Sequence, residues 1–278
     1  MSATYGVEHF DQNGFALIPQ FYDPERDIAP IREGIRRIVE LVAVKHGVAA
    51  PVATPEEAMG AGYLAVARAN RVWGSEIYDA VKQIPAFLRL VSNSRNTELF
   101  ERIRKGSIAG VAAGGFGIRV DSPGEEKYRA PWHQEFPAQL RSVDGIVFWS
   151  PLIVTTAAMG PVEVAVGSHR EGVVPVYEDD EGIGKTGAYA LHLDREQERI
   201  ASYERLAPGT KPGDLILMDF LTLHQSGQNL SDRPRWSMQF RLFNFNDPIG
   251  VQIGWRGSYA AGSNFADLLP ELVAEKRK

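Results

Sequence analysis

From residue 107 to residue 247 the chain breaks into short apolar or alternating stretches, and no other feature narrows its fold as much. The stretches 107–111, 116–120, 145–149, 162–166, 214–220 and 237–245 are separated by Gly, Pro, Asp and Ser. Each is too short for a typical helix, and their spacing is that of an all-β sandwich or barrel. Between them, residues 167–210 form a long polar connection carrying Glu178-Asp179-Asp180-Glu181 and Gly182, Gly184 and Gly187. Connections of that length inside a domain are usually lids or binding loops. The acidic run itself reads as solvated loop.

The preceding hundred residues have a different texture. Asn13-Gly14 is a turn pair that separates a short helix from a short strand at 15–18. Asp23-Pro24-Glu25 opens a helix, with Asp as cap and Pro at the first helical position. Ile28, Ile31, Ile35, Ile38, Val39 and Val42 then recur at helical spacing. Arg32, Arg36, Arg37 and Glu40 make the opposite, solvated face, and Gly47 ends the helix. Thr54, with Glu57 three residues on, signals a capping box. Further helices are predicted over 58–68, 75–82, 85–91 and 97–105. No linker separates the two textures. The expectation is therefore one domain, 1–278, mainly β with flanking helices. Helical residues 1–106 pack on a β core at 107–247, and an amphipathic C-terminal helix at 265–275 frays toward Lys278.

Composition limits the function classes. Hydrophobic residues at 44% can fill a core without staples, and the absence of Cys excludes disulfides, iron–sulfur clusters and thiolate zinc. Any metal must be held by His, Asp or Glu. A net charge of −5 argues against nucleic acid as a partner. No apolar run is long enough for a membrane span, and the N-terminus lacks signal-peptide character, so a cytoplasmic protein is expected. Self-association is left open.

Those constraints focus attention on Pro131-Trp132-His133-Gln134-Glu135-Phe136. In an extended chain His133 and Glu135 share a face. A second His far downstream would complete the 2-His-1-carboxylate triad that holds non-haem Fe(II) and leaves coordination positions open. His224, just past the apolar strand 215–220, is that candidate. Beyond it lies a strand with two unlike faces. Arg235, Ser237, Gln239 and Arg241 share one, and Trp236, Met238, Phe240 and Leu242 the other. If the polar face lines a barrel interior, Arg235 and Ser237 could grip a carboxylate, Arg by its bidentate fork. His9 and His46 read as surface residues, and His169 as structural. Gly114-Gly115-Phe116-Gly117 lacks the strand-then-helix setting of a nucleotide loop and reads as a turn.

Several segments in order resemble the phytanoyl-CoA dioxygenase family of Fe(II)/2-oxoglutarate-dependent oxygenases. They are Trp132-His133-Gln134-Glu135, the run from Gly160 to Arg170 with Gly167-Ser168-His169, Pro212-Gly213-Asp214 through His224, and Asn229 to Arg235, eleven positions after His224. The opening Phe10-Asp11-Gln12-Asn13-Gly14-Phe15 also matches. The resemblance implies a double-stranded β-helix, a jelly-roll barrel flanked by helices. It implies that His133, Glu135 and His224 ligate iron, and that Arg235, assisted by Ser237, binds the distal carboxylate of 2-oxoglutarate. Trp149 would border the co-substrate, with Ser226 a further candidate for that pocket. Two positions depart from the family pattern: Glu135 stands where His-x-Asp is usual, and Met159 where Asn usually precedes Gly160.

On this reading Fe(II), 2-oxoglutarate and O2 are the cofactor and co-substrates, and succinate and CO2 are released. Hydroxylation of a small polar or anionic metabolite is expected, with Arg119, Arg241 and His192 as candidate substrate contacts. Halogenation is disfavoured because Glu135 fills the position a halide would need. Two alternatives remain: a cupin-like metal enzyme that does not use 2-oxoglutarate, and a non-catalytic binding or regulatory relative.

Overall fold

The computed structural model describes residues 5–177, 191–258 and 264–274 and organises them around a six-stranded antiparallel sheet. Short helix α1 (Phe10–Asn13) leads into strand β1 (Phe15–Ile18). Gly14 joins them at φ +72°, a conformation that favours glycine. A Cβ there would also lie 2.3 Å from His169 Nδ1 and 2.4 Å from Thr222 Oγ1. Helices α2 (Ala29–Lys45), α3 (Pro55–Glu57), α4 (Tyr63–Ala69), α5 (Arg71–Val81), α6 (Pro85–Val91) and α7 (Ser94–Ile103) follow.

Local chemistry sets these helices. The Asp23 side chain accepts from the backbone N–H of Glu25 and Arg26, both at 2.9 Å, and caps the wide turn that feeds α2. Ile31, Ile35, Val39 and Val42 of α2 are buried, while Arg36 and Arg37 pair with Glu33 on its outer side. The Thr54–Glu57 capping box forms in both directions. The single helix expected over 58–68 is interrupted, because Gly60 leaves helical geometry at φ −97°, ψ −107° before α4 begins.

The strands are β2 (Ala109–Val111), β3 (Gly117–Asp121), β4 (Gly145–Pro151), β5 (Val162–Ala165), β6 (Val176–Tyr177), β7 (His192–Leu193), β8 (Arg205–Leu206), β9 (Leu215–Asp219), β10 (His224–Ser226) and β11 (Arg235–Asn244). The large sheet runs β1-β9-β4-β11-β2, with β3 on the same edge of β11 as β2. A smaller sheet runs β10-β5-β8, and β6 pairs with β7. Helices α8 (Glu135–Gln139), α9 (Glu196–Ala201), α10 (Pro248–Ile253) and α11 (Phe265–Leu268) fill the connections.

The large sheet is buried on both faces. Ile146, Phe148, Leu215, Leu217, Trp236, Met238, Phe240 and Leu242 join one apolar cluster with the helices α2, α4, α5 and α6. Val147, Trp149, Ile216 and Met218 point the other way, into a second cluster with Val162, Val164 and Ala165 of the small sheet. This alternation explains why β4 and β9 are buried at every residue. Two sheets enclosing a core, with helices behind the larger one, make the expected jelly roll.

The C-terminal segment differs from expectation. Helix α11 stops at Leu268, and a separate 3-10 turn occupies Pro270–Leu272. Pro270 has no N–H to continue the helix and disfavours helical geometry in the residue before it. The acidic run 178–181, the glycines at 182, 184 and 187, and the end of the tail from 275 lie outside the described residues. Among the described residues, no helix is long and apolar enough to cross a membrane.

Candidate metal centre

His133 and His224 are locked to each other by backbone. Each N–H donates to the other's carbonyl, at 3.0 and 3.1 Å, in an isolated antiparallel bridge. The bridge extends the small sheet, because His224 also pairs with Val164 of β5. Gln134 remains extended, but Glu135 is the first residue of α8 and not part of a strand. The N–H groups of Glu135 and Phe136 both donate to the Phe220 carbonyl. Pro137 falls in the first turn of this short helix, where a missing N–H costs no helical hydrogen bond. The expected shared side for His133 and Glu135 is reached by this turn, not by a continuing strand.

The three side chains converge. One ligand atom from each of His133, Glu135 and His224 lies within 4.8 Å of the others, and all three residues are buried. Glu135 Oε2 stands 3.6 Å from His224 Nε2 and 3.9 Å from His133 Nε2. Cis ligands on a small divalent ion at about 2.1 Å sit about 3 Å apart, so a small side-chain adjustment closes this set on a metal. Both imidazoles are oriented for that task. His133 Nδ1 lies 2.8 Å from the Pro131 carbonyl and His224 Nδ1 lies 2.8 Å from the Thr222 carbonyl. A protonated Nδ1 satisfies each carbonyl and leaves the Nε2 lone pair facing Glu135.

Electrostatics keep the set ready to bind a cation. Burial, and next the adjoining His224 ring, push His133 down to about 3, so its imidazole is neutral at ordinary pH. Burial alone would raise the Glu135 carboxyl. Arg241, His224 and His133 together outweigh it, Arg241 contributing most, and hold the group ionised well below the usual carboxylate range. Arg241 Nε donates to Glu135 Oε1 at 2.9 Å. Oε2 has no hydrogen-bond partner among the described residues. A buried carboxylate oxygen left without a donor is costly, and a metal ion is a natural partner for it.

Beside the three residues is a cavity of about 90 Å³. Trp149, Ser226, Arg119 and Arg241, all singled out in the sequence, border it together with Gln225 and Gln239. Arg235 and Ser237 do not. They lie deeper on the same face of β11, each 1% exposed. Arg235 Nη2 donates to Asp121 at 2.8 Å, while its Nε and Nη1 and the Ser237 hydroxyl are buried with no hydrogen-bond partner among the described residues. Such a group of unfilled donors suits an incoming carboxylate. His192 is apart, on β7, where it stacks on Tyr177 and borders a different hollow. His169 Nε2 contacts the Asp11 carbonyl, in keeping with a structural role.

Asp121 belongs to the site although no sequence motif marks it. It sits opposite Arg235 in the β3–β11 register, and accepts from Arg119 at 3.0 Å as well. Burial opposes its charge, but Arg119 and Arg235 together lower its pKa. The signal was present: Arg119 and Asp121 alternate onto one face of β3, where a buried cation needs an acid. Gln134 is a further residue of the site that no sequence motif marks. It donates to the Gly172 and Leu221 carbonyls and accepts from Val174 N–H, tying the loops around the site together.

Comparison with known proteins adds the lineage. The sequence profile of the family described as phytanoyl-CoA dioxygenase (PhyH) matches residues 10–237. No curated protein sequence matches the chain significantly. Among solved structures, the fold is similar to EctD from S. alaskensis with 2-oxoglutarate and 5-hydroxyectoine. The two share 17% identity at a TM-score of 0.57, over 89% of this chain and 77% of that one. It is also similar to the non-heme alpha ketoglutarate dependent carbocyclase SnoK from nogalamycin biosynthesis, with 16% identity and a TM-score of 0.55, over 95% of both chains. The epimerase SnoN, solved with Fe3+, alpha ketoglutarate and nogalamycin RO, gives 14% identity and a TM-score of 0.55, over 93% of this chain and 90% of that one. With most of its length matched by the profile and a His-Glu-His set at its centre, the chain belongs to the phytanoyl-CoA dioxygenase family and is an Fe(II)- and 2-oxoglutarate-dependent dioxygenase.

Proposed function

We propose that this enzyme hydroxylates a small polar or anionic metabolite in the cavity bordered by Arg119, Trp149, Gln225 and Gln239. The observation that carries the assignment of the reacting centre is that ligand atoms of His133, His224 and Glu135 lie within 4.8 Å of one another beside that cavity, with a Glu135 carboxylate oxygen that has no hydrogen-bond partner among the described residues. In this reading His133, Glu135 and His224 hold the iron, and Arg235 with Ser237 holds the distal carboxylate of 2-oxoglutarate. Trp149 and Ser226 border the co-substrate. Bound together, Fe(II), 2-oxoglutarate and O2 supply the oxidising power, releasing succinate and CO2 as one oxygen atom enters a substrate C–H bond.

The chain's own residues do the rest. The Nδ1 contacts keep each imidazole in one tautomer and orientation. Asp121 orients the Arg235 guanidinium and lessens the repulsion between it and Arg119. The two apolar clusters exclude water around the polar pocket, which strengthens every charge interaction inside it. Glu135 occupies the third ligand position, which favours hydroxylation over halide transfer. The polar cavity wall supports a polar or anionic substrate over an extended apolar one.

Incubation of the iron-loaded enzyme with 2-oxoglutarate, 18O2 and a panel of small metabolites is expected to yield a product heavier by one labelled oxygen. The product is expected among carboxylates and other polar molecules. Labelled product only from apolar substrates would contradict the substrate class, and halogenated product would contradict the reaction.

A further inference from the structure

We propose that Arg241 is a positioning residue that restricts Glu135 to a single metal-binding oxygen. The inference rests on the iron-site reading above and goes beyond it.

Glu135 has one more rotatable bond than the Asp usual at this position, so its carboxylate has more ways to present itself. Arg241 removes that freedom. Its backbone is held in β11 opposite Val147, and its carbonyl accepts from the Ala112 N–H at 2.9 Å. The guanidinium is held at two points: Nη1 donates to the Gly115 carbonyl at 3.0 Å and Nε donates to Glu135 Oε1 at 2.9 Å. The planar guanidinium thus fixes where Oε1 lies. Oε2 is then the oxygen left facing the two Nε2 atoms.

The number of open positions gives this arrangement its consequence. In an octahedral facial triad, three single-atom ligands leave three positions. A co-substrate chelating through two atoms would take two of them and leave one open. If Glu135 gave both oxygens, that last position would be lost or the co-substrate would have to compete for it. A longer carboxylate is therefore serviceable here because a neighbouring cation occupies its second oxygen. Arg241 lines the cavity as well, but its charge is already matched by Glu135.

The test uses the full-length protein loaded with Mn(II). Crystal structures of the parent and of Arg241→Met, with and without 2-oxoglutarate, show how many Glu135 oxygens reach the metal. The splitting of the carboxylate stretching bands in the infrared reports the same thing in solution. The parent is expected to ligate through Oε2 alone, with Oε1 on Arg241. Arg241→Met is expected to ligate through both oxygens and to lose about tenfold in 2-oxoglutarate affinity. Arg241→Lys, which keeps the charge, is expected to recover part of that affinity and stands in if the Met variant does not fold. A parent that ligates through both oxygens overturns the inference and leaves the metal site intact. So does an Arg241→Met variant with single-oxygen ligation and unchanged 2-oxoglutarate affinity. A parent that takes up no divalent metal at these residues overturns the metal-site reading, and this inference with it.

Discussion

Glu135→Ala is expected to abolish specific metal uptake and to destabilise the metal-free protein by about 3–5 kcal/mol, the range for removing one partner of a buried ion pair. The two effects have one origin. The substitution deletes the only carboxylate of the ligand set, and it also leaves Arg241 buried at 7% exposure with no counter-charge at its Nε. The Gly115 carbonyl still accepts from Nη1, but a neutral acceptor does not balance a buried cation. Glu135→Gln separates the two contributions. Its amide oxygen can still accept from Arg241 Nε but brings no counter-charge, so only the hydrogen-bonding part of the lost stability should return, while metal affinity stays low. Urea denaturation of metal-free parent, Ala and Gln variants reads the first effect, and Mn(II) titration reads the second. An Ala variant as stable as the parent would mean that the Arg241–Glu135 pair contributes nothing to the fold.

The second large effect is expected at the co-substrate. Arg235→Ala should weaken 2-oxoglutarate binding by about a hundredfold or more, corresponding to about 3 kcal/mol or more for loss of a buried charge pair. It should change divalent-metal affinity by less than about threefold. The asymmetry follows from placement. Arg235 forms its hydrogen bond and ion pair with Asp121 and none with His133, Glu135 or His224, and its Nε and Nη1, like the Ser237 hydroxyl on the same face, have no hydrogen-bond partner among the described residues. Asp121 complicates the folded state but not the direction, since it keeps its bond to Arg119 when Arg235 is truncated. Anaerobic titration of metal-loaded parent and variant with 2-oxoglutarate decides the matter. Equal affinities would remove Arg235 from the co-substrate site.

Much of this architecture can be read from residue order because burial imposes periodicity. The β11 alternation of Arg235, Ser237, Gln239 and Arg241 against Trp236, Met238, Phe240 and Leu242 appears in space as a polar interior face and an apolar face under the helices. The cap at Asp23 and the box at Thr54 are equally local, and both form. The less legible parts depend on partners distant in sequence. Gly60 breaks a helix that its neighbours would continue, and Glu135 begins a helix where alternation suggested a strand. Strand β10 has three residues and exists because β5 and His133 pair with it from either side.

The same limit applied to the centre. His133, Glu135 and His224 could be singled out by residue type and order. The short strand that carries His224, the Arg241 bond to Glu135 and the Asp121 bond to Arg235 could not, because each joins residues far apart in the chain. Arg241 shows the gain from structure most clearly. As a lone cation on a polar face it suggested a substrate contact. Beside Glu135 it accounts for how a longer carboxylate can hold one oxygen ready.

The most direct test of the account is succinate formation from 2-oxoglutarate by protein loaded with Fe(II), measured beside the His224→Ala variant. One metal per chain and iron-dependent succinate release, at least as slow uncoupled turnover, are expected, with neither in the variant. Folded, iron-replete protein that forms no succinate across a broad substrate panel would contradict it, as would a His224→Ala variant that turns over as fast as the parent.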